Sequence, residues 1–220
     1  MIVVIDGPAG SGKSSTARAV AERLKIQFLD SGALYRVATL IYLNSQNNGD
    51  SFFDALKESD ISFYFKEKKF HVLLNHSDVS DEIRAMHVAN AVSTVAAMPE
   101  VRAFVNALMR QAVQSGIYIA DGRDLGTAVF PDAELKFFMI ADLDERARRR
   151  LSELEAKGEQ TTFDEVRKNI EDRDLKDSSR ASDPLKQADD AILVNTSGLT
   201  FEDQVQMISE HVQQLIAKNA

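Results

Sequence analysis

The chain has 220 residues, 44% of them hydrophobic, with no cysteine and a formal charge of −8. This length and apolar fraction suit one domain with a sizeable core, and the missing thiols exclude disulfides, thiolate metal sites and cysteine nucleophiles, which favours a cytoplasmic location. The acidic balance disfavours a nucleic-acid partner, and no stretch approaches the roughly 18 apolar residues of a membrane span, so a soluble, unprocessed protein is expected.

The first element is an apolar strand, Ile2–Asp6. It runs into Gly7-Pro8-Ala9-Gly10-Ser11-Gly12-Lys13-Ser14, which fits the pattern GxxxxGK[ST] at every required position, and Ser15 follows. Next comes a helix with Ala17, Val20, Ala21 and Leu24 on its core face. A glycine-rich turn between strand and helix lets backbone N–H groups curl inward as an anion nest for nucleoside phosphates. Lys13 is then expected at the β- and γ-phosphates, and the Ser14 hydroxyl at Mg²⁺.

A second strand, Gln27–Asp30, meets a helix at Ser31, read here as its cap, with Tyr35 as an aromatic wall and Arg36 as a clamp for a second phosphate. A capped helix with a surface arginine fits the same residues. Residues 60–80 alternate apolar and charged side chains around a polar turn, as an inserted antiparallel hairpin does. Residues 87–113 read as helix with a break around Pro99.

Another strand, Ile117–Asp121, leads into a turn rich in Asp and Gly. Asp121 is placed as an acid that orients Mg²⁺, with Arg123 and Asp124 in the same crevice; an ordinary turn is the alternative. Strand Lys136–Ile140 precedes helices at 143–157 and 163–180, with start signals in Asp142 with Glu145 and in Thr162 with Glu165. The polar stretch 155–163 between them is the best candidate for a mobile loop.

In the second helix Arg173, Asp177 and Arg180 share one face, a spacing that a solvated salt-bridge face also shows. Strand Ala191–Thr196 and helix 201–218 close the chain. The four histidines show no helical metal-ligand pairing, and His71 and His76 are expected on the surface of the hairpin. Alternating strands and helices make the fold class α/β, a parallel sheet flanked by helices with a small antiparallel insertion.

The segments "DGPAGSGKSS", "FLDSGALYR", "VSDEIR", "VANAVSTVAAMPEVR", "IADGRDLGTAVFPDA" and "RDLKDSSRASDPL" stand in the order and spacing of the bacterial cytidylate kinase family, which the chain resembles over nearly its whole length. The resemblance implies a single P-loop NTPase-type kinase domain over 1–220, with a monophosphate-binding insertion at about 60–98 and a short lid at about 151–165. It implies transfer of the γ-phosphoryl group of ATP, with Mg²⁺, to CMP or dCMP by a monomer.

Carried over residue by residue, the resemblance makes Ser93, Arg102 and Asp124 readers of the cytosine edge. It lines the acceptor site with Ser31 and Tyr35 and holds the sugar hydroxyls with Arg173 and Asp177. Arg36, Arg123 and Arg180 then grip the acceptor phosphate or the transferring group, Lys13, Arg123 and Arg180 being the catalytic set. One or two of Arg146, Arg148, Arg149 and Arg150 are expected to close over ATP. Ile140 and Asn195 depart from the family pattern, outside these motifs.

Overall fold

The structure is a computed structural model that describes residues 1–48, 51–156 and 158–219. Its elements run β1 (Ile2–Asp6), α1 (Lys13–Leu24), β2 (Gln27–Asp30), α2 (Ser31–Asn48) and α3 (Phe52–Glu58). The inserted part follows with β3 (Ile61–Lys66), β4 (Lys69–Leu74), β5 (Ser77–Asp78) and α4 (Met86–Val95), and α5 (Pro99–Ala112) leads back. The chain ends with β6 (Tyr118–Gly122), β7 (Leu135–Ile140), α6 (Leu143–Glu155), α7 (Phe163–Ser179), β8 (Ile192–Asn195) and α8 (Phe201–Asn219).

Five strands form one parallel sheet in the order β2-β6-β1-β7-β8. β1 is buried at every position because strands pair with both its edges and helices flank the sheet. The registers Asp30↔Asp121 and Asp6↔Gly122 bring the carboxyl ends of β2, β6 and β1 side by side. Three buried or half-buried aspartates, Asp6, Asp30 and Asp121, therefore meet at the edge where ligands bind in open parallel sheets. α1 packs on α8 and β6, and α2 on α4 and α5. Among the described residues no helix is long and apolar enough to cross a membrane.

The expected hairpin is present as a three-stranded antiparallel sheet, β3-β4-β5. Both turns are two residues long, Glu67-Lys68 and Asn75-His76, and all four residues have positive φ, the geometry that matches the twist of paired strands. Phe65 and Phe70 meet Phe28 of β2 edge-on, at centroid distances of 5.5 and 6.1 Å, which fastens the insertion to the main sheet. Nothing in the sequence reading anticipated α3, whose Phe52 and Leu56 are buried. The break in 87–113 falls at Ala96–Met98, with Pro99 in the first turn of α5, where its missing N–H costs nothing.

Three expectations are corrected. Asp30 caps α2, its Oδ1 accepting from Ala33 N at 2.9 Å, because strand passes into helix without a linker and Asp30 takes the capping position; Ser31 is already helical. Thr162 and Glu165 form the reciprocal capping box expected for α7, but the Asp142 side chain makes no cap bond. Glu145 is drawn instead to Arg149, at 2.9 Å. Arg180 lies beyond the end of α7, in extended backbone, so it does not share a helical face with Arg173 and Asp177. α6 ends at Glu155. Lys157, in both the expected helix 143–157 and the expected lid, is outside the described residues.

Candidate active site

The loop after β1 lies so close to the sheet that a Cβ on Gly7 would stand 2.1 Å from the Met139 carbonyl oxygen. Gly12 enters α1 at φ +91°, a left-handed conformation that a side chain resists. Lys13 folds back over the loop and its Nζ donates to the Pro8 carbonyl at 3.1 Å. The Ser14 hydroxyl donates to Asp121 Oδ2, and the Ser31 hydroxyl to the Asp121 carbonyl at 2.5 Å.

These charges are poorly compensated. Burial, aided by the nearby Arg123 charge, pushes the Lys13 ammonium down to about 7. Burial and the neighbouring Asp30 push the Asp121 carboxyl up to about 6, and its Oδ1 has no hydrogen-bond partner. A hydroxyl beside an unpartnered carboxylate oxygen is a hard-oxygen donor set that fits Mg²⁺. Burial also raises Asp6, to about 6, although it accepts from Leu125 N at 2.9 Å and Gly126 N at 2.7 Å. Those two bonds hold a single π-helical turn, Leu125–Val129, directly behind Arg123 and Asp124.

The far end of the crevice is different. Arg102, 3% exposed, pairs through Nη2 with Asp124 Oδ2 and through Nε with Asp183 Oδ2 at 2.8 Å. Arg180 reaches Asp124 Oδ1 at 2.7 Å and the Asp183 carbonyl, also at 2.7 Å. Between the two ends, Arg123 Nε donates to Asp177 Oδ2 at 2.8 Å. Burial lowers the Arg173 guanidinium to about 10, with Arg123 the next cause, and burial also lowers Arg36. Cationic groups from α1, α2, α7 and the turns after β6 and α7 thus face one cavity of about 660 Å³.

Residues 3–214 match the family model for cytidylate kinase. The chain belongs to the cytidylate kinase family. It is 41% identical over 215 residues to a cytidylate kinase of Lactococcus lactis subsp. lactis, covering 97% of this chain and 98% of that one. To a cytidylate kinase of Carboxydothermus hydrogenoformans it is 42% identical over 213 residues, with 96% of each chain covered. An uncharacterized protein from Eubacterium ventriosum shares the fold, with TM-score 0.55 at 12% identity over 97% of this chain and 98% of that one. The fold is accordingly that of a P-loop kinase, an α/β enzyme with a central parallel sheet.

In this member of the family the cavity wall includes Ala9, Gly10, Gly12, Lys13, Ser14 and Ser15 of the loop and Asp121 behind them. Ser31, Tyr35, Arg36, Ser93, Arg123, Asp124, Arg173, Asp177 and Arg180 line the rest. Gly7, Pro8 and Ser11 are not on the cavity wall, Gly7 and Ser11 being buried and Pro8 half-buried, and Arg102 lies behind the wall, where it holds Asp124. Of the four α6 arginines, Arg149 and Arg150 line the cavity. Arg146 is buried, bound to the Ala9 carbonyl at 2.8 Å and to Asp174 at 2.5 Å, while Arg148 is exposed away from the cavity.

Sequence reasoning missed Asp6, Asp174 and Asp183. Asp174 also accepts from Ala9 N at 2.9 Å, tying α7 to the phosphate loop across 165 positions of chain. No local pattern marks such a carboxylate; the one available signal is its place beside Arg173 in an arginine-rich segment.

Proposed function

We propose that this single cavity holds both reactants of the family's reaction, in which the γ-phosphoryl group of ATP passes to CMP or dCMP and yields ADP and CDP or dCDP. The observation that carries this reading is the convergence of Lys13, Arg36, Arg123, Arg173 and Arg180, from distant segments, on one cavity.

The loop N–H groups and Lys13 bind the donor phosphates, and Arg149 and Arg150 stand on the donor side. Arg36, Arg123 and Arg180 hold the acceptor phosphate and the transferring group; the planar guanidinium suits paired phosphate oxygens. Arg173 and Asp177 take the sugar hydroxyls. Ser93 and Asp124, with Arg102 behind, read the cytosine edge beside Ser31 and Tyr35.

Ser14 and Asp121 would hold Mg²⁺, which supplies positive charge against the negative charge spread over the transferring group. The rate then comes from in-line positioning and matched cations, with little covalent chemistry asked of the protein. The domain plan that goes with this is one domain over 1–220, an acceptor-binding insertion at about 60–98 and a lid at about 151–165 that excludes water. A cysteine-free monomer working in the cytoplasm on small nucleotides, without nucleic acid, completes the proposal.

The test is an ADP-release assay over CMP, dCMP, UMP, AMP, GMP and dTMP. CMP and dCMP are expected to give the highest kcat/KM. A purine as best acceptor would overturn the reading.

A further inference from the structure

Asp183 sits in the loop after α7, in the left-handed region at φ 47°, a conformation that Asp tolerates better than most residues. Its carbonyl and its carboxylate each hold an arginine. The carboxylate takes Arg102 Nε at 2.8 Å and the carbonyl takes Arg180 Nε at 2.7 Å. Both arginines also bind Asp124, so Arg102, Asp124, Arg180 and Asp183 close a ring in which three links are ion pairs and the fourth runs through the Asp183 backbone carbonyl.

The Arg102 fork is thereby committed on two of its three nitrogens. The third, Nη1, keeps only a 3.5 Å contact with the Ala96 carbonyl, and Ala96 is on the cavity wall. A flexible arginine with one carboxylate partner would swing about that bond; a second carboxylate at Nε fixes the plane of the guanidinium and the side from which Nη1 is offered. The same loop is tied to α7, since Leu185 N donates to the Asp177 carbonyl at 2.8 Å, and Asp177 holds Arg123.

We infer that Asp183 is a positioning residue for pyrimidine selection: it orients Arg102, and with it Asp124, toward the acceptor base and joins that pair to the α7 end that faces the acceptor sugar and phosphate. This rests on the reading of Arg102 and Asp124 as the base-reading pair. Asp183 touches neither reactant.

The test compares Asp183→Asn and Asp183→Gly with the intact enzyme, and Arg102→Lys alongside. Asp183 is 36% exposed, so neither change empties a core site, and glycine keeps the positive φ while removing the carboxylate. Both are expected to raise KM for CMP about tenfold, with kcat and KM for ATP unchanged, and to cut the CMP-over-UMP ratio of kcat/KM about tenfold, the scale of one charge-assisted hydrogen bond.

If both variants keep the intact enzyme's CMP-over-UMP ratio while Arg102→Lys loses it, the role given to Asp183 is wrong and base reading stands. If Arg102→Lys also keeps the ratio, base reading by Arg102 itself fails. A fall in thermal stability with selectivity intact makes Asp183 a fold residue only and equally overturns the inference.

Discussion

The two ends of the crevice both bury charge, but they treat it in opposite ways. At the donor end Lys13 and Asp121 are buried with too few partners: the lysine is pushed down to about 7, the carboxyl up to about 6, and one carboxylate oxygen is unbonded. At the base end two arginines and two aspartates satisfy one another in a closed ring. On the proposed reading the donor end is incomplete without its ions, and bound anion and cation would relieve a cost that folding leaves in place. On the same reading the base end is held rigid beforehand by its own bonds, so that a neutral base is judged by the groups the ring leaves on offer, such as Arg102 Nη1: a wrong base leaves these unpaired, and that penalty discriminates.

The largest effect that would break this contrast is catalytic. Lys13→Ala and Arg123→Ala are each expected to lower kcat by about a thousandfold or more with far-UV circular dichroism unchanged; near-native turnover in Lys13→Ala would remove the donor end from the chemistry, and in Arg123→Ala the grip on the acceptor phosphate and transferring group. Next in size is Arg102→Met, which leaves buried Asp124 with Arg180 as its one guanidinium partner and takes the guanidinium from Asp183, and is expected to cost roughly 3 kcal/mol of folding stability in urea titration.

Asp121→Asn should go the other way. It abolishes activity yet raises stability by roughly 1–3 kcal/mol, because a carboxyl raised from 3.8 to about 6 on folding opposes the folded state at neutral pH. Since the folded-state value lies above the unfolded one, the contribution of the protonated acid is fully present below about pH 4 and lost as pH rises through 6. The advantage of the Asn variant is therefore expected to be small at pH 4, to grow up to pH 6 and then to level off. A variant less stable than wild type at pH 7 would contradict the unsatisfied donor end. The smallest effect separates the α6 arginines: Arg148→Ala should leave KM for ATP unchanged, whereas Arg149→Ala, which also breaks contacts to Thr196 at 2.8 and 3.1 Å, should raise it several-fold.

Much of this was legible before the structure. The five main strands and the phosphate loop could be read because their signals are local: apolar runs, alternation, and glycines placed where a backbone must curl. The long helices were legible for the same reason. What stayed hidden depends on partners far along the chain. Asp6 looks like the polar end of a strand until Leu125 and Gly126, 119 and 120 positions away, donate to it. Asp142 shows the converse: its spacing to Glu145 fits a capping box, but a tertiary claim on Glu145 by Arg149 prevails. Asp183 escaped because a lone aspartate before a proline reads as a turn, and only the folded chain carries it to Arg102, 81 positions away.

The most direct test of an incomplete donor end is proton uptake on binding ATP, by isothermal titration calorimetry at pH 8 in buffers of different ionisation enthalpy. With Lys13 near 7 in the free enzyme, most molecules hold it neutral at pH 8, and phosphate contact restores its charge. The account predicts uptake of about one proton per ATP, lost in Lys13→Met. Binding enthalpies independent of the buffer would contradict it.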